Sequence, residues 1–554
     1  MSRPFIYKAL AALGTLEANA LEKASHCPRQ VQLAKLKKIL SRNGKTSFGR
    51  QHNFASIKSL ADYQAALPIR TYEDFRPYIE QVLAGQKGIL TEEETVMFAT
   101  TSGTTGKPKF APVTKSYIEE YRRASIVSYF HLLKQFPHLA HGTALPIVSS
   151  ACEGLSAGGI PYGAISGLLF KQEPPLIKKY VSPIPYEVFL IEDYDTRYYT
   201  LCLLALSLPT SIIYTPNPST IILLAKKLQA FAPHLVKDVF DGTINPPGKL
   251  ASTTYEAIKH LLAPDAPRSR QLAALLNSNQ FTPAQVWPNL QTIACWTKAA
   301  ASFYLKDFSP LFGNLPVCDI NYGASEGRGT AMVSLNEQML ALRSHFYEFI
   351  AEEDMESKNP QVLIADQVEP GKKYFILFTT SGGLYRYNIN DVVKVVGFHN
   401  KAPLLEFQYK GGNISSFTGE KLTELQVTEA MSMVVSDTAL DVNYFTVIPK
   451  YGSPPHYELW LETRDNSNGH QFGESLAYAF DRTLSKVNIE YASKRESQRL
   501  NPVVVRFLNP GTYYQLRRTM TESGTADAQI KLSHLNPKKE IMQDLEQQLL
   551  VSKA

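Results

Sequence analysis

Three short segments of the 554-residue chain hold residue types and spacings that could do phosphoryl and acyl chemistry. The first is Thr100-Thr101-Ser102-Gly103-Thr104-Thr105-Gly106-Lys107-Pro108-Lys109. Its two glycines and five hydroxyls let backbone N–H and side-chain O–H donors converge on a polyphosphate, and Lys109 or Lys107 adds positive charge. It is not the Walker motif: two residues separate Gly103 from Gly106 where four are required, and Pro108 follows Lys107 where Ser or Thr belongs. A plain Gly/Thr linker is the competing reading.

The second segment is Asn321-Tyr322-Gly323-Ala324-Ser325-Glu326-Gly327. An aromatic ring beside the small residues Gly323 and Ala324 can lie flat on a purine, and the Glu326 carboxylate can hold a hard cation such as Mg²⁺. Alternatively, Ser325 and Glu326 begin a helix and Tyr322 is half-buried packing. The third is Gly383-Leu384-Tyr385-Arg386-Tyr387-Asn388-Ile389-Asn390-Asp391. Asp391, expected just before a strand at Val392, can accept from both hydroxyls of a ribose; an Arg386–Asp391 ion pair or a turn cap is the other reading. Each segment alone is ambiguous. Together and in this order they supply the phosphate, adenine, metal and ribose contacts of an ATP site.

The elements that must carry these segments follow from periodicity. Leu10, Leu13 and Leu21, then Val31, Leu33, Leu36, Ile39 and Leu40, predict two helices, the second stopped by Asn43-Gly44. Ile118 to Leu133 predicts an amphipathic helix directly after the first segment, an order suited to anion binding at a helix N-terminus. Tyr374 to Phe378 and Val392 to Val396 read as strands of a mixed sheet. After Tyr409 the texture changes at Lys410-Gly411-Gly412-Asn413, which sets an expected boundary between residues 1–410 and 411–554. The smaller part is expected to be α+β: strands at Tyr444 to Ile448, Tyr457 to Glu462 and Val503 to Phe507, and helices at Phe472 to Val487 and Lys538 to Leu550.

Composition narrows the function classes. Lys and Arg number 57 against 51 Asp and Glu, a net +6 too thin for a phosphate-backbone binder, so no nucleic acid partner is expected. With 44% hydrophobic and 19% charged residues the chain can bury a large core. The longest apolar run, Leu201 to Leu208, stops at Pro209, far short of the roughly 20 residues of a membrane span; a buried helix is expected there and no membrane partner. Five dispersed cysteines without a Cys-x-x-Cys pattern read as reduced thiols of a cytoplasmic protein, and the N-terminus has no signal-peptide pattern.

Through these residues the sequence resembles the adenylate-forming superfamily, with Thr101 to Lys109 as its most recognisable piece. More closely it resembles the auxin-responsive Gretchen Hagen family of acyl acid amido synthetases. Thr46-Ser47-Phe48-Gly49-Arg50, Tyr72-Glu73-Asp74-Phe75, Lys109-Phe110-Ala111-Pro112 and Asn400-Lys401-Ala402-Pro403 extend the likeness over roughly the whole chain. The resemblance implies an α/β enzyme with a large N-terminal ATP- and acyl-acid-binding domain and a small mobile C-terminal domain. It implies that Thr101 to Gly106 bind phosphates, Tyr322 with Gly323, Ala324 and Ser325 meets adenine, Glu326 binds Mg²⁺ and Asp391 binds ribose. Lys531, within Gln529-Ile530-Lys531, matches the family's C-terminal catalytic lysine, although Leu532-Ser533-His534 follows it where Pro-Arg is usual; Lys109 is the second catalytic candidate. Asn390 replaces the family's Gly before the Asp, a mild change because Asn tolerates the left-handed conformation.

The implied reaction is ATP-dependent activation of a carboxylic acid as acyl-AMP with release of pyrophosphate, then transfer to an amino acid amine, by a monomer. An acyl-CoA ligase sharing the first step and a non-catalytic nucleotide- or acyl-acid-binding relative are the rivals. The acid, the amine and the base that deprotonates it are not specified by these motifs.

Overall fold

The computed structural model describes residues 3–101, 109–411, 414–415, 418, 420–438, 440–452, 454–464, 473–522, 530, 532–536 and 539–549. The described residues form two compact units: one holds the chain up to 407 apart from 298–303, and the other holds 298–303 and the chain from 408 onward.

In the first unit the two expected N-terminal helices run Arg3–Ser25 and Pro28–Asn43, the second opened by Pro28 at a helix start, where a missing N–H is harmless. Leu36, Ile39 and Leu40 are buried as the spacing predicts, but Leu13 faces solvent. The face turned inward carries Gly14 instead, because a Cβ there would lie 2.6 Å from Cβ of Phe130. Two helices approaching this closely leave no room for a side chain.

Four strands, Thr143–Pro146, Thr210–Tyr214, Thr292–Cys295 and Val317–Asp319, pair in chain order, all parallel. They are buried nearly throughout, as expected when helices cover both faces of a parallel sheet. The helix Tyr194–Ser207 contains the apolar run, with Leu201 to Leu206 all buried, so that segment is a core helix. Among the described residues no helix is long and apolar enough to cross a membrane.

A second sheet has seven strands in the order Thr330–Ser334, Glu337–Leu340, Ala402–Lys410, Tyr387–His399, Lys373–Thr379, Phe346–Ala351 and Val362–Leu363. Lys373–Thr379 and Tyr387–His399 are antiparallel neighbours in it. The α/β class with mixed sheet pairing is found, but the pairing is spread over several sheets, and in a third, four-stranded one Met97–Thr101 pairs antiparallel on one side and parallel on the other. Its antiparallel partner is Lys109–Val113, Thr101 standing opposite Lys109.

That pairing corrects the loop-then-helix order. The first motif connects two strands of a hairpin, and the helix Lys115–Gln135 begins only after the second strand, capped by Thr114, whose Oγ1 accepts from Tyr117 N at 3.2 Å. The strand Lys109–Val113 went unrecognised because five residues, one of them Pro112, are too few for a clear alternation.

The second unit contains antiparallel strands Val442–Lys450 and His456–Thr463, with Val504–Phe507 parallel to the latter. Helices Glu424–Thr438, Gly473–Val487, Ile489–Glu496, Thr512–Glu522 and Lys539–Glu546 accompany them. Trp460 is fully buried and its indole N–H donates to Glu458 Oε2 at 2.8 Å, which satisfies the donor inside an apolar core.

Candidate nucleotide site

Tyr322, Glu326 and Asp391 come together in the first unit. Gly323–Ala324 and Gly327–Arg328 pair antiparallel, which leaves Ser325 and Glu326 as a two-residue turn. They do not begin a helix. The turn is held from three sides: Tyr117 Oη donates to Ser325 O at 2.7 Å, Ser325 Oγ to Thr100 O at 3.4 Å, and Tyr322 N to Thr330 Oγ1 at 2.8 Å. The Thr100 contact ties the turn to the strand that leads into the first motif.

Asp391 lies within the strand Tyr387–His399 and not before it. Between Phe375 and Leu377 the register with the neighbouring strand shifts, so that residues 389–391 bulge out of the ladder. Asn390 adopts φ 64° at this bulge, the left-handed conformation expected of the residue that replaces glycine, and its N–H donates to Asn388 Oδ1 at 2.8 Å. The bulge re-aims Asp391, whose Oδ2 accepts from Tyr322 Oη at 2.8 Å. The alternative ion pair to Arg386 is not formed. Arg386 instead donates from Nε to Glu348 Oε2 at 3.1 Å and from Nη1 to the carbonyls of Leu67 and Gln64.

The two carboxylates act on the same phenols. Tyr322 is pushed well above the usual tyrosine range by burial first, then by Asp391 and Glu326; Tyr387 is pushed up by burial, Glu326 and Asp391. Tyr72 joins them, since its hydroxyl accepts from Phe110 N at 2.8 Å while Lys109 Nζ stands 5.5 Å from its ring centroid. Lys109 is therefore placed beside Tyr72, whose phenol also feels Glu326.

One expectation about Tyr322 is corrected. Its ring is not uncrowded: Phe407 stacks on it at 5.4 Å and 11°, and a Cβ on Gly329 would come within 2.1 Å of the ring. Gly329 is needed for the ring to fit at all. For Thr101 only the backbone is described, and Ser102, Gly103, Thr104, Thr105 and Gly106 lie outside the described residues, as does Lys531; the neighbours of the latter, Ile530 and Leu532, are buried in the second unit.

Residues 17–317 match the GH3 family N-terminal domain, 338–410 the GH3 family central domain and 425–540 the GH3 family C-terminal domain. The chain belongs to the GH3 family. Among relatives of this GH3 chain, the jasmonoyl–L-amino acid synthetase GH3.5 of Oryza sativa subsp. japonica is 25% identical over 548 residues, covering 93% of both chains. The indole-3-acetic acid-amido synthetase GH3.4 of Arabidopsis thaliana is 23% identical, covering 92% of this chain and 90% of its own. The solved structure of the AtGH3.15 acyl acid amido synthetase in complex with 2,4-DB superposes with a TM-score of 0.85 at 21% identity, covering 97% of this chain and 96% of that one. At that identity the likeness establishes the shared fold.

Within the GH3 chain, the residues that the motif reading missed are supports. Tyr117 has no local signature, because it meets the turn through a contact far away in sequence, and Tyr387, although inside the third segment, has no role assigned there because its approach to Glu326 is tertiary. Tyr72 was visible only as part of Tyr72-Glu73-Asp74-Phe75, which signals the N-terminus of the helix Tyr72–Leu83 through Thr71 and Asp74.

Proposed function

We propose that this GH3 protein is an ATP-dependent acyl acid–amino acid amido synthetase. The observation that carries the reading is the convergence of Tyr322, Glu326 and Asp391 in a chain that matches the family's three domains in order. The substrate carboxylate attacks the α-phosphorus of ATP and pyrophosphate leaves. An amino acid amine then attacks the acyl-adenylate carbonyl, and AMP leaves as the amide forms. The first step is phosphorus chemistry, so the protein acts by aligning reactants and stabilising charge.

Asp391 is assigned to the ribose hydroxyls and Tyr322 to the adenine side, its phenol holding the carboxylate in place. Residues Thr101 to Gly106 are assigned to the phosphates, with Lys109 and Lys531 as cationic partners. Glu326 fits a Mg²⁺ ion: it is a buried carboxylate in the turn, and no cluster of three or more His, Cys, Asp or Glu among the described residues forms a metal cage. A Mg²⁺ held by one carboxylate takes its other ligands from nucleotide phosphates and water, and would supply charge neutralisation there. Residues 411–554 are assigned as the mobile domain that carries Lys531. All five cysteines are free thiols, which supports a cytoplasmic setting, and one chain supplies every assigned residue, so a monomer suffices.

Purified protein given Mg-ATP and a panel of carboxylic acids should release pyrophosphate, and hydroxylamine should trap the adenylate as a hydroxamate. Amide formation with amino acids, with no thioester from coenzyme A, separates the reading from an acyl-CoA ligase. Glu326→Gln should lower pyrophosphate release by at least ~10-fold and raise the Mg²⁺ requirement. No release with any acid would leave the nucleotide-binding relative as the surviving interpretation.

A further inference from the structure

Thr100 stands where the strand Met97–Thr101 runs into the hydroxyl-rich motif. Its carbonyl accepts from Ser325 Oγ of the Glu326 turn at 3.4 Å, and its own Oγ1 donates to Glu153 Oε2 at 3.0 Å. One threonine therefore bridges the turn assigned to Mg²⁺ and a carboxylate that none of the three motifs contains. The sheet accounts for the juxtaposition. Met97–Thr101 pairs in parallel with Pro161–Gly163, which pairs antiparallel with Gly154–Leu155, so Glu153, at the start of that edge strand, lies across one strand from Thr100. Glu153 N donates to Tyr162 O at 2.7 Å and continues the ladder.

The loop before Glu153 is braced. Ser150 Oγ donates to Cys152 O at 2.9 Å, Ala151 N to Tyr186 Oη at 2.6 Å, and Ala164 N to Ser150 O at 2.8 Å. A Cβ on Gly163 would fall 2.7 Å from Ala151 O, so this loop packs on bare backbone. Glu153 keeps an exposed edge. Protein packed around the rest of it raises its pKa above the ordinary glutamate value, against the lowering effect of the Thr100 hydroxyl. Asp391 is held by Tyr322 and Glu326 is assigned to the metal, whereas Glu153 has no task in the adenylation step.

We propose that Glu153 is the general base of the second half-reaction, receiving a proton from the ammonium group of the amino acid. This rests on the amido synthetase reading above. Contact with Thr100 puts Glu153 at the phosphate end of the site, where the acyl group is joined, and not at the adenine end marked by Tyr322 and Asp391. In the step, an ammonium N–H bond breaks and its proton passes to the Glu153 carboxylate. The freed lone pair forms the C–N bond at the acyl carbonyl, and the bond from that carbon to the phosphate oxygen breaks. AMP leaves carrying the second proton that the nitrogen gives up, and Glu153 returns its own to solvent at its exposed edge. A base working near neutral pH benefits from a carboxyl whose proton affinity is raised.

The test gives the full-length protein Mg-ATP and a carboxylic acid that supports pyrophosphate exchange, then either an amino acid or hydroxylamine. Hydroxylamine is largely uncharged at neutral pH and needs no base to free its lone pair. Glu153→Gln should lower kcat for amide formation by ~100-fold or more with little change in KM for the amino acid, the size expected for a lost proton acceptor. Pyrophosphate exchange and hydroxamate formation should fall far less. Glu153→Asp should restore part of the amide rate, and Thr100→Val, which removes the hydroxyl that aims the carboxylate, should lower the amide-to-hydroxamate ratio. Parallel loss of amide and hydroxamate would mean a structural role, a raised KM with kcat kept would mean ammonium binding without proton transfer, and an unchanged amide rate would mean no role. Each of these overturns the assignment and leaves the amido synthetase reading standing. Wild-type protein that exchanges pyrophosphate with no acid, or that exchanges it but forms no amide with any amino acid, overturns both.

Discussion

Tyr322 Oη donates to Asp391 Oδ2 at 2.8 Å, joining residues 69 apart in sequence. The bond makes the aromatic turn and the bulged strand one device: the phenol fixes the carboxylate's rotamer, and the carboxylate fixes the ring. Replacing Tyr322 by Phe keeps the ring and removes the donor. A hydrogen bond to a charged group contributes about 1.5–3 kcal/mol to stability, so Tyr322→Phe should melt at a lower temperature and, with the Asp391 rotamer no longer held, should show a raised KM for ATP. An unchanged KM in steady-state pyrophosphate assays would remove Tyr322 from the nucleotide site.

The bulge makes a backbone prediction. Asn390 sits at φ 64°, where a β-branched side chain is strained. Asn390→Val should destabilise the protein by about 1–3 kcal/mol and weaken ATP binding by displacing Asp391. Asn390→Gly should do neither. Thermal melts and nucleotide titrations of the two variants side by side give the check, and equal behaviour would mean that the bulge does not position Asp391.

The buried pair Arg386–Glu348 predicts an asymmetric response. Both side chains are almost fully enclosed, and Glu348 also accepts from Gln64 Nε2 at 2.9 Å. Glu348→Ala strands a buried guanidinium and should destabilise by about 3–5 kcal/mol. Because Arg386 Nη1 also binds the Gln64 and Leu67 carbonyls, within and at the C-terminal end of the helix Leu60–Ala66, the loss should extend to that helix. Hydrogen exchange of residues 60–67 in the variant measures it; protection equal to wild type would contradict the coupling.

Glu173 should give the protein a pH signature. Burial raises its pKa from 4.5 to about 7, against the opposing pull of Lys178, Ser182 and Arg122. The folded state thus holds the proton more tightly than the unfolded chain. The stabilisation is full below about pH 4.5, fades as pH rises, and is gone above about pH 7. Glu173→Gln, which does not titrate, should therefore gain stability relative to wild type between pH 5 and 8, by at most about 3 kcal/mol. Melting temperatures of both proteins across that interval provide the measurement, and parallel curves would show that the carboxyl is not buried in solution.

The sequence by itself determined what depends on local chemistry. The hydroxyl-rich loop, the Tyr322 to Glu326 turn and Asp391 stand out in the sequence because their residue types and order narrow the ligands they could take, and the structure joins Tyr322 to Asp391. Helices such as Pro28–Asn43 and Lys115–Gln135, and the strands Val442–Lys450 and His456–Thr463, are legible because their apolar periods extend over enough residues. Tertiary structure decided the rest. Whether Arg386 pairs with Asp391 or with Glu348 depends on which carboxylate the fold brings within reach, and a distance of five residues along a bulged strand says nothing about that. The face of Tyr322 is covered by Phe407 from another strand of the seven-stranded sheet, and its ring fits only because position 329 lacks a Cβ. Lone polar residues such as Thr215 and Asn321 acquire meaning only when the parallel sheet brings them to the carboxyl ends of its strands, because burial and the absence of a partner are properties of three-dimensional packing that spacing does not encode.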